Sequence, residues 1–117
     1  MNSLVKLPDI NTVTPITDNL DAWTIQDGKP EMRTWILNTS NDGSMISGYW
    51  EATPETYYAV YSEYEFLHLL EGKVIITPDD CESVSLVGGD TFVVEADFKG
   101  TWEIIQTVRK YFDIKLS

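Results

Sequence analysis

Two ionisable side chains of opposite sign stand on strand faces that otherwise read as interior. In EFLHLL (65–70), a period of two groups Glu65 with Leu67 and Leu69 and sets Phe66, His68 and Leu70 opposite. In VRKYFDIKL (108–116), Val108, Lys110, Phe112, Ile114 and Leu116 share one face, with Arg109, Tyr111, Asp113 and Lys115 on the other. A buried charge without a partner costs several kilocalories per mole or shifts its pKa toward neutrality. Glu65 and Lys110 are therefore expected as partners, and Tyr61 joins them because it shares the parity of Glu65. In such a set Lys110 can hold a carboxylate or carbonyl oxygen of a small polar metabolite while Glu65 takes an amine or hydroxyl. A catalytic version would use Glu65 or a desolvated Lys110 as general base. The alternative is an internal ion pair that only fills space.

The inventory excludes other chemistries. His68 is the one histidine and falls on the face away from Glu65, which suits a packed or interface side chain. Ser47, Ser62, Ser83 and Ser85 thus have no imidazole placed to activate them, so a serine triad is not expected. Cys81 is the single cysteine, which forbids an internal disulfide, and its acidic neighbours in PDDCES do not favour a reactive thiolate. Asp79, Asp80 and Glu82 lack the glycine and spacing of a calcium loop and read as a solvated hairpin tip. Gly88–Gly89–Asp90 reads as a β-turn rather than a phosphate loop, since no helix follows it.

Charge narrows the partners. With 19 acidic against 8 basic residues, the formal charge of −11 repels phosphate backbones and anionic headgroups. No stretch approaches the ~20 apolar residues that span a bilayer. The opening MNSLVKLPDI has too short an apolar run for a signal peptide, so a cytoplasmic location is expected.

Short strand-like runs between turn residues must position these side chains. TWILN (34–38) and MISGYWEA (45–52) flank Asn41–Asp42–Gly43, a strong hairpin signal. TYYAVY (56–61), EFLHLL, KVIIT (73–77), SVSLV (83–87), TFVVE (91–95), WEIIQ (102–106) and VRKYFDIKL follow. This spacing predicts an all-β barrel of about eight to ten strands. At 117 residues it is one structural domain. Residues 1–44 are expected as an N-terminal arm and edge hairpin strand packed on a barrel formed by 45–117. Within that arm, residues 1–22 are read as a short helical turn or edge strand.

Four segments carry a family resemblance: SGYWEATP (47–54), YSEYEFLHLLEGKV (61–74), GGDTFVVEADFKGTWE (88–103) and VRKYF (108–112). Together they resemble small cupins of the ureidoglycine aminohydrolase and ethanolamine-utilisation type. The resemblance implies a double-stranded β-helix, or jelly-roll barrel, usually a homodimer. Metal-binding cupins carry G-x5-H-x-H-x3–4-E-x6-G and then G-x5-P-x-G-x2-H. Aligned on Glu65 and Gly72, the first two histidine positions hold Ala59 and Tyr61, or Tyr58 and Val60 with the longer spacer. Aligned on Gly89, the second motif puts Glu95 at the proline, Asp97 at the glycine and Gly100 at the histidine. One carboxylate is a poor ligand set for a first-row metal, so no metal and no cofactor are expected. Trp102, two residues past Gly100, completes the expected pocket of Tyr61, Glu65, Trp102 and Lys110. The leading expectation is a binder of a small polar metabolite in the barrel with no transition metal. The alternatives are a metal-independent or weakly metal-dependent enzyme of the ureidoglycine aminohydrolase-like type, or a structural dimer or partner-interaction domain.

Overall fold

The period of two seen in the sequence is the period of burial. Along Glu65–Leu70, Glu65, Leu67 and Leu69 are buried while Phe66 and Leu70 are exposed and His68 is half-buried. The computed structural model describes residues 4–17, 23–25 and 31–116, so part of the expected N-terminal arm lies outside the described residues. The strands are β1 (Trp23–Ile25), β2 (Met32–Thr39), β3 (Met45–Ala52), β4 (Glu55–Val60), β5 (Glu65–Pro78), β6 (Val84–Val87), β7 (Thr91–Val94) and β8 (Lys99–Lys115). The helical element among the described residues is a 3-10 turn at Ile10–Thr12, and no helix is long and apolar enough to cross a membrane.

All pairings are antiparallel, and two long strands run through the whole barrel. The first part of β5 lies between β7 and the last part of β8, which continues to β3 and β2. The second part of β5 lies between β6 and the first part of β8, which continues to β4 and β1. The ladder therefore folds into two facing halves, β7-β5-β8-β3-β2 and β6-β5-β8-β4-β1, which is a jelly roll. Ile16 adds a bridge to Thr34 at the β2 edge.

The sequence separates EFLHLL from KVIIT and WEIIQ from VRKYFDIKL, whereas each pair is one bent strand. At the bend Gly72 takes φ +97°, and a Cβ there would sit 2.3 Å from the Thr107 carbonyl oxygen. Glycine lets the strand turn from one half to the other without ending it. Opposite it, the register of β5 on β8 shifts between Leu69 and Val74. The hairpin at Asn41–Asp42–Gly43 is present, with Gly43 at φ +76° and the Asp42 carboxylate accepting from the Ser44 amide. Gly88–Gly89–Asp90 is also a turn, but it carries the chain across the halves, because β6 and β7 each pair with β5 and not with each other.

The core between the halves is strongly aromatic. Trp23, Trp50, Tyr57, Tyr61 and Trp102 are all buried, and the Trp23 ring contacts each of the other four.

Candidate functional site

Glu65 and Lys110 both point into the barrel, at 5% and 2% exposure. Lys110 Nζ donates to Glu65 Oε2 at 3.4 Å, long for a charge-assisted hydrogen bond. The remaining faces of the ammonium meet indoles. Its nitrogen lies 4.6 Å from the ring centre of Trp50, 4.8 Å from Trp102 and 5.8 Å from Trp23. Cation–π attraction to three indoles, each worth roughly 0.5–2 kcal/mol, and the Glu65 carboxylate offset the desolvation of the charge. Burial still holds the Lys110 pKa below the usual lysine value, with Glu65 opposing that shift. Tyr61 is buried beside this pair, and its pKa is pushed well up by burial first and then by the Glu65 carboxylate.

The strands explain this convergence. Leu69, Lys110, Trp50 and Thr34 are successive register partners across β5, β8, β3 and β2, so their side chains share the inner face. From the other half, Trp23, Ala59 and Gly100 are successive partners across β1, β4 and β8. The Trp23 ring lies against Trp50, Tyr57, Tyr61 and Trp102.

A cavity of about 580 Å³ reaches this pair. Tyr61, Glu65 and Lys110 line it together with Trp50 and Thr34, while Trp102 packs behind Lys110 and does not reach the lining. Ile16 and Leu116, at 48% and 46% exposure, form part of its rim. Two polar groups of the wall, Thr34 Oγ1 and Trp50 Nε1, are buried without a protein hydrogen-bond partner among the described residues. The sequence reading missed Trp23, Trp50 and Thr34. For Trp50 a signal existed, since it shares parity with Gly48 and Ala52 in MISGYWEA.

The EutQ-like cupin domain model matches residues 39–112. The chain belongs to this cupin family. No functionally curated protein matches it in sequence. This cupin is similar to a DUF861-family protein of unknown function from Pseudomonas syringae pv. tomato, at TM-score 0.76 and 22% identity. That alignment covers 88% of this chain and 44% of the other, so this cupin spans less than half of that neighbour. It is also similar to the Clostridium difficile EutQ protein, at TM-score 0.69 and 18% identity over 96% of this chain and 81% of that one. A putative ethanolamine utilization protein Q from Salmonella typhimurium gives TM-score 0.67 and 17% identity, covering 86% of this chain and 78% of that one. At these identities the three likenesses concern the fold.

The histidine positions of the metal-binding cupin motif have definite places in this barrel. Ala59 and Tyr61 are buried while Val60 is exposed and Tyr58 half-buried, so the shorter spacer is the one that points inward. Ala59 and Gly100, two of the histidine positions, face each other across β4 and β8. A Cβ at Gly100 would lie 2.5 Å from the Thr77 oxygen and 2.7 Å from Phe98 Cζ, so that position admits no side chain as the barrel stands. The remaining carboxylate, Glu65, faces an ammonium. These residues do not fit a transition metal. Among the described residues no three His, Cys, Asp or Glu side chains converge.

Proposed function

We infer that this cupin binds a small polar metabolite in the barrel without a transition metal, with the Lys110 ammonium in the role that a metal plays in metal-binding cupins. The observation that carries the reading is the cavity that ends on the buried Glu65–Lys110 pair, walled mainly by apolar side chains with a few polar groups among them. That is the usual build of a small-molecule site. Ligand-dependent thermal stabilisation that grows with concentration is the expected result of a metabolite screen. Native mass spectrometry of protein prepared without added metal should show the bare chain or a small organic adduct. Near-stoichiometric Mn, Fe, Ni or Zn in the same preparation would overturn the metal-free reading.

A second reading is favoured by Tyr61, Glu65 and Lys110 lining one cavity, with Lys110 bonded to Glu65: a metal-independent enzyme of the ureidoglycine aminohydrolase-like type, with Glu65 as general base. Turnover abolished by Glu65→Gln with the fold intact would select it over simple binding. The proposal extends to a cytoplasmic homodimer. Phe66, Leu70 and Val93 lie exposed on the outer face of one half, at 37%, 40% and 40%, and suit burial against a second copy. Sedimentation that gives only monomer at micromolar concentration would remove the dimer.

A further inference from the structure

We propose that Lys110 is an imine-forming residue: its Nζ condenses with a small aldehyde or ketone that enters the barrel, while Glu65 takes and returns the proton. The site is the cavity of the binding reading above, on which this rests, and the imine names its ligand class. Lysine forms such imines when its amine is desolvated and a neighbouring group handles protons. Both conditions are met where the cavity of about 580 Å³ ends, since Lys110 and Glu65 stand together in its wall. Nζ lies 3.4 Å from Glu65 Oε2, and catalytic hydrogen bonds are often this long before a ligand tightens them. Burial disfavours the charge on Lys110, whereas Lys6, Lys99 and Lys115 are exposed to water.

The condensation balances with water as its by-product. Glu65 first takes a proton from the ammonium, leaving an amine and a neutral carboxylic acid. The nitrogen lone pair attacks the carbonyl carbon, the C=O double bond becomes a C–O single bond, and a proton passes from nitrogen to that oxygen. Glu65 then returns its proton to the new hydroxyl, which leaves as water while the C=N bond forms. The product is an iminium facing the Glu65 carboxylate, so the site carries the same charges before and after. Indole faces centred 4.6, 4.8 and 5.8 Å from Nζ attract a cation at this nitrogen, whether ammonium or iminium. The indoles and the carboxylate therefore hold the product as they hold the resting side chain. Apolar side chains in the same wall, Ile46, Phe112 and Ile114 among them, disfavour the water that would hydrolyse it.

Reductive trapping on the full chain at neutral pH tests this, with cyclohexanecarbaldehyde and cyclohexanone as probes and cyanoborohydride as reductant. Cyclohexylmethanol, which cannot condense, is the control. Reduction fixes the imine as a secondary amine, with a mass gain equal to that of the probe less its oxygen atom. Holding the carbonyl beside the amine makes the attack effectively unimolecular, so peptide mapping should find Lys110 labelled at least ~10-fold faster than Lys6, Lys99 and Lys115. Surface chemistry alone gives the reverse order, because Lys110 is 2% exposed and the other three face water. The parent protein carries the whole comparison, so no variant has to fold. Label that reaches Lys110 only as the near-ultraviolet circular dichroism is lost overturns the imine. If Lys110 stays unlabelled while any of the three compounds raises the melting temperature, the imine falls and barrel binding stands. If Lys110 stays unlabelled and none of the three raises it at millimolar concentration, the imine and the binding reading fall together.

Discussion

Lys110 owes its place to the groups around it, and each can be tested singly. Lys110→Met keeps an unbranched side chain against three indoles but leaves Glu65 buried beside only Tyr61. Breaking a buried pair from one side should cost about 3–5 kcal/mol in chemical denaturation. Adding Glu65→Gln should return most of that loss, and a double variant no more stable than the single one would mean the pair is not the unit. Tyr57 offers the opposite experiment. Its hydroxyl is buried without a partner, and burial, then the charge of Glu55, push its pKa up to about 12. Tyr57→Phe should therefore stabilise the protein by about 1 kcal/mol at neutral pH. The pH dependence has a definite sign. A folded pKa raised above the unfolded value of about 10 gives stability that is present below pH 10 and lost as pH rises toward 12. The parent protein should lose on the order of 2 kcal/mol more than Tyr57→Phe across that window. Parallel curves for the two would show that Tyr57 ionises alike in both states.

Among the elements, β5 sets the distance between the site and the bend. Glu65 faces the cavity at its start, and Gly72 turns the strand where the two halves of the barrel meet. The six residues between them are the length of one half of the ladder, which gives the spacing a mechanical meaning independent of metal. Gly72→Ala would force a Cβ to within 2.3 Å of the Thr107 oxygen and 2.8 Å of Val108 Cα, at a φ of +97°. Backbone cannot yield as a flexible side chain would, so a loss of at least ~2 kcal/mol is expected from urea unfolding. A variant within error of the parent would show that the bend relaxes freely. The inward set of β5 and β8 was legible in the sequence because one charge interrupts each clean alternation. Trp23 was not legible, since a strand of three residues has no period to read and its partner Ala59 lies far along the chain. The continuity of β5 and β8 was also hidden, because a glycine that bends a strand and one that ends it look alike in one dimension.

At the scale of the molecule, the family match begins at residue 39, yet the site draws on what precedes it. β2 contributes Thr34 to the cavity wall and buries Met32, and β1 brings the Trp23 ring against Trp50, Tyr61 and Trp102. Both are edge strands, one for each half of the barrel. Without them β3 and β4 would expose unpaired backbone, and the tryptophans that hold Lys110 would meet water. The loss includes Trp23, Met32, Trp35 and Leu37, each at 9% exposure or less. Large core truncations cost ~2–5 kcal/mol apiece, while a whole domain has only about 5–15 kcal/mol in reserve. A chain restricted to residues 45–117 should therefore show no cooperative thermal transition by circular dichroism and should associate through its bared edges. A sharp transition in that fragment, with its remaining tryptophans still shielded from a fluorescence quencher, would mean that the family barrel is self-sufficient. Trp23→Ala in the full chain separates the two contributions, because it removes the ring while leaving the backbone of β1 to cover β4. If edge coverage dominates, this variant should unfold cooperatively at a lower temperature, with Lys110 losing one of its three indole contacts.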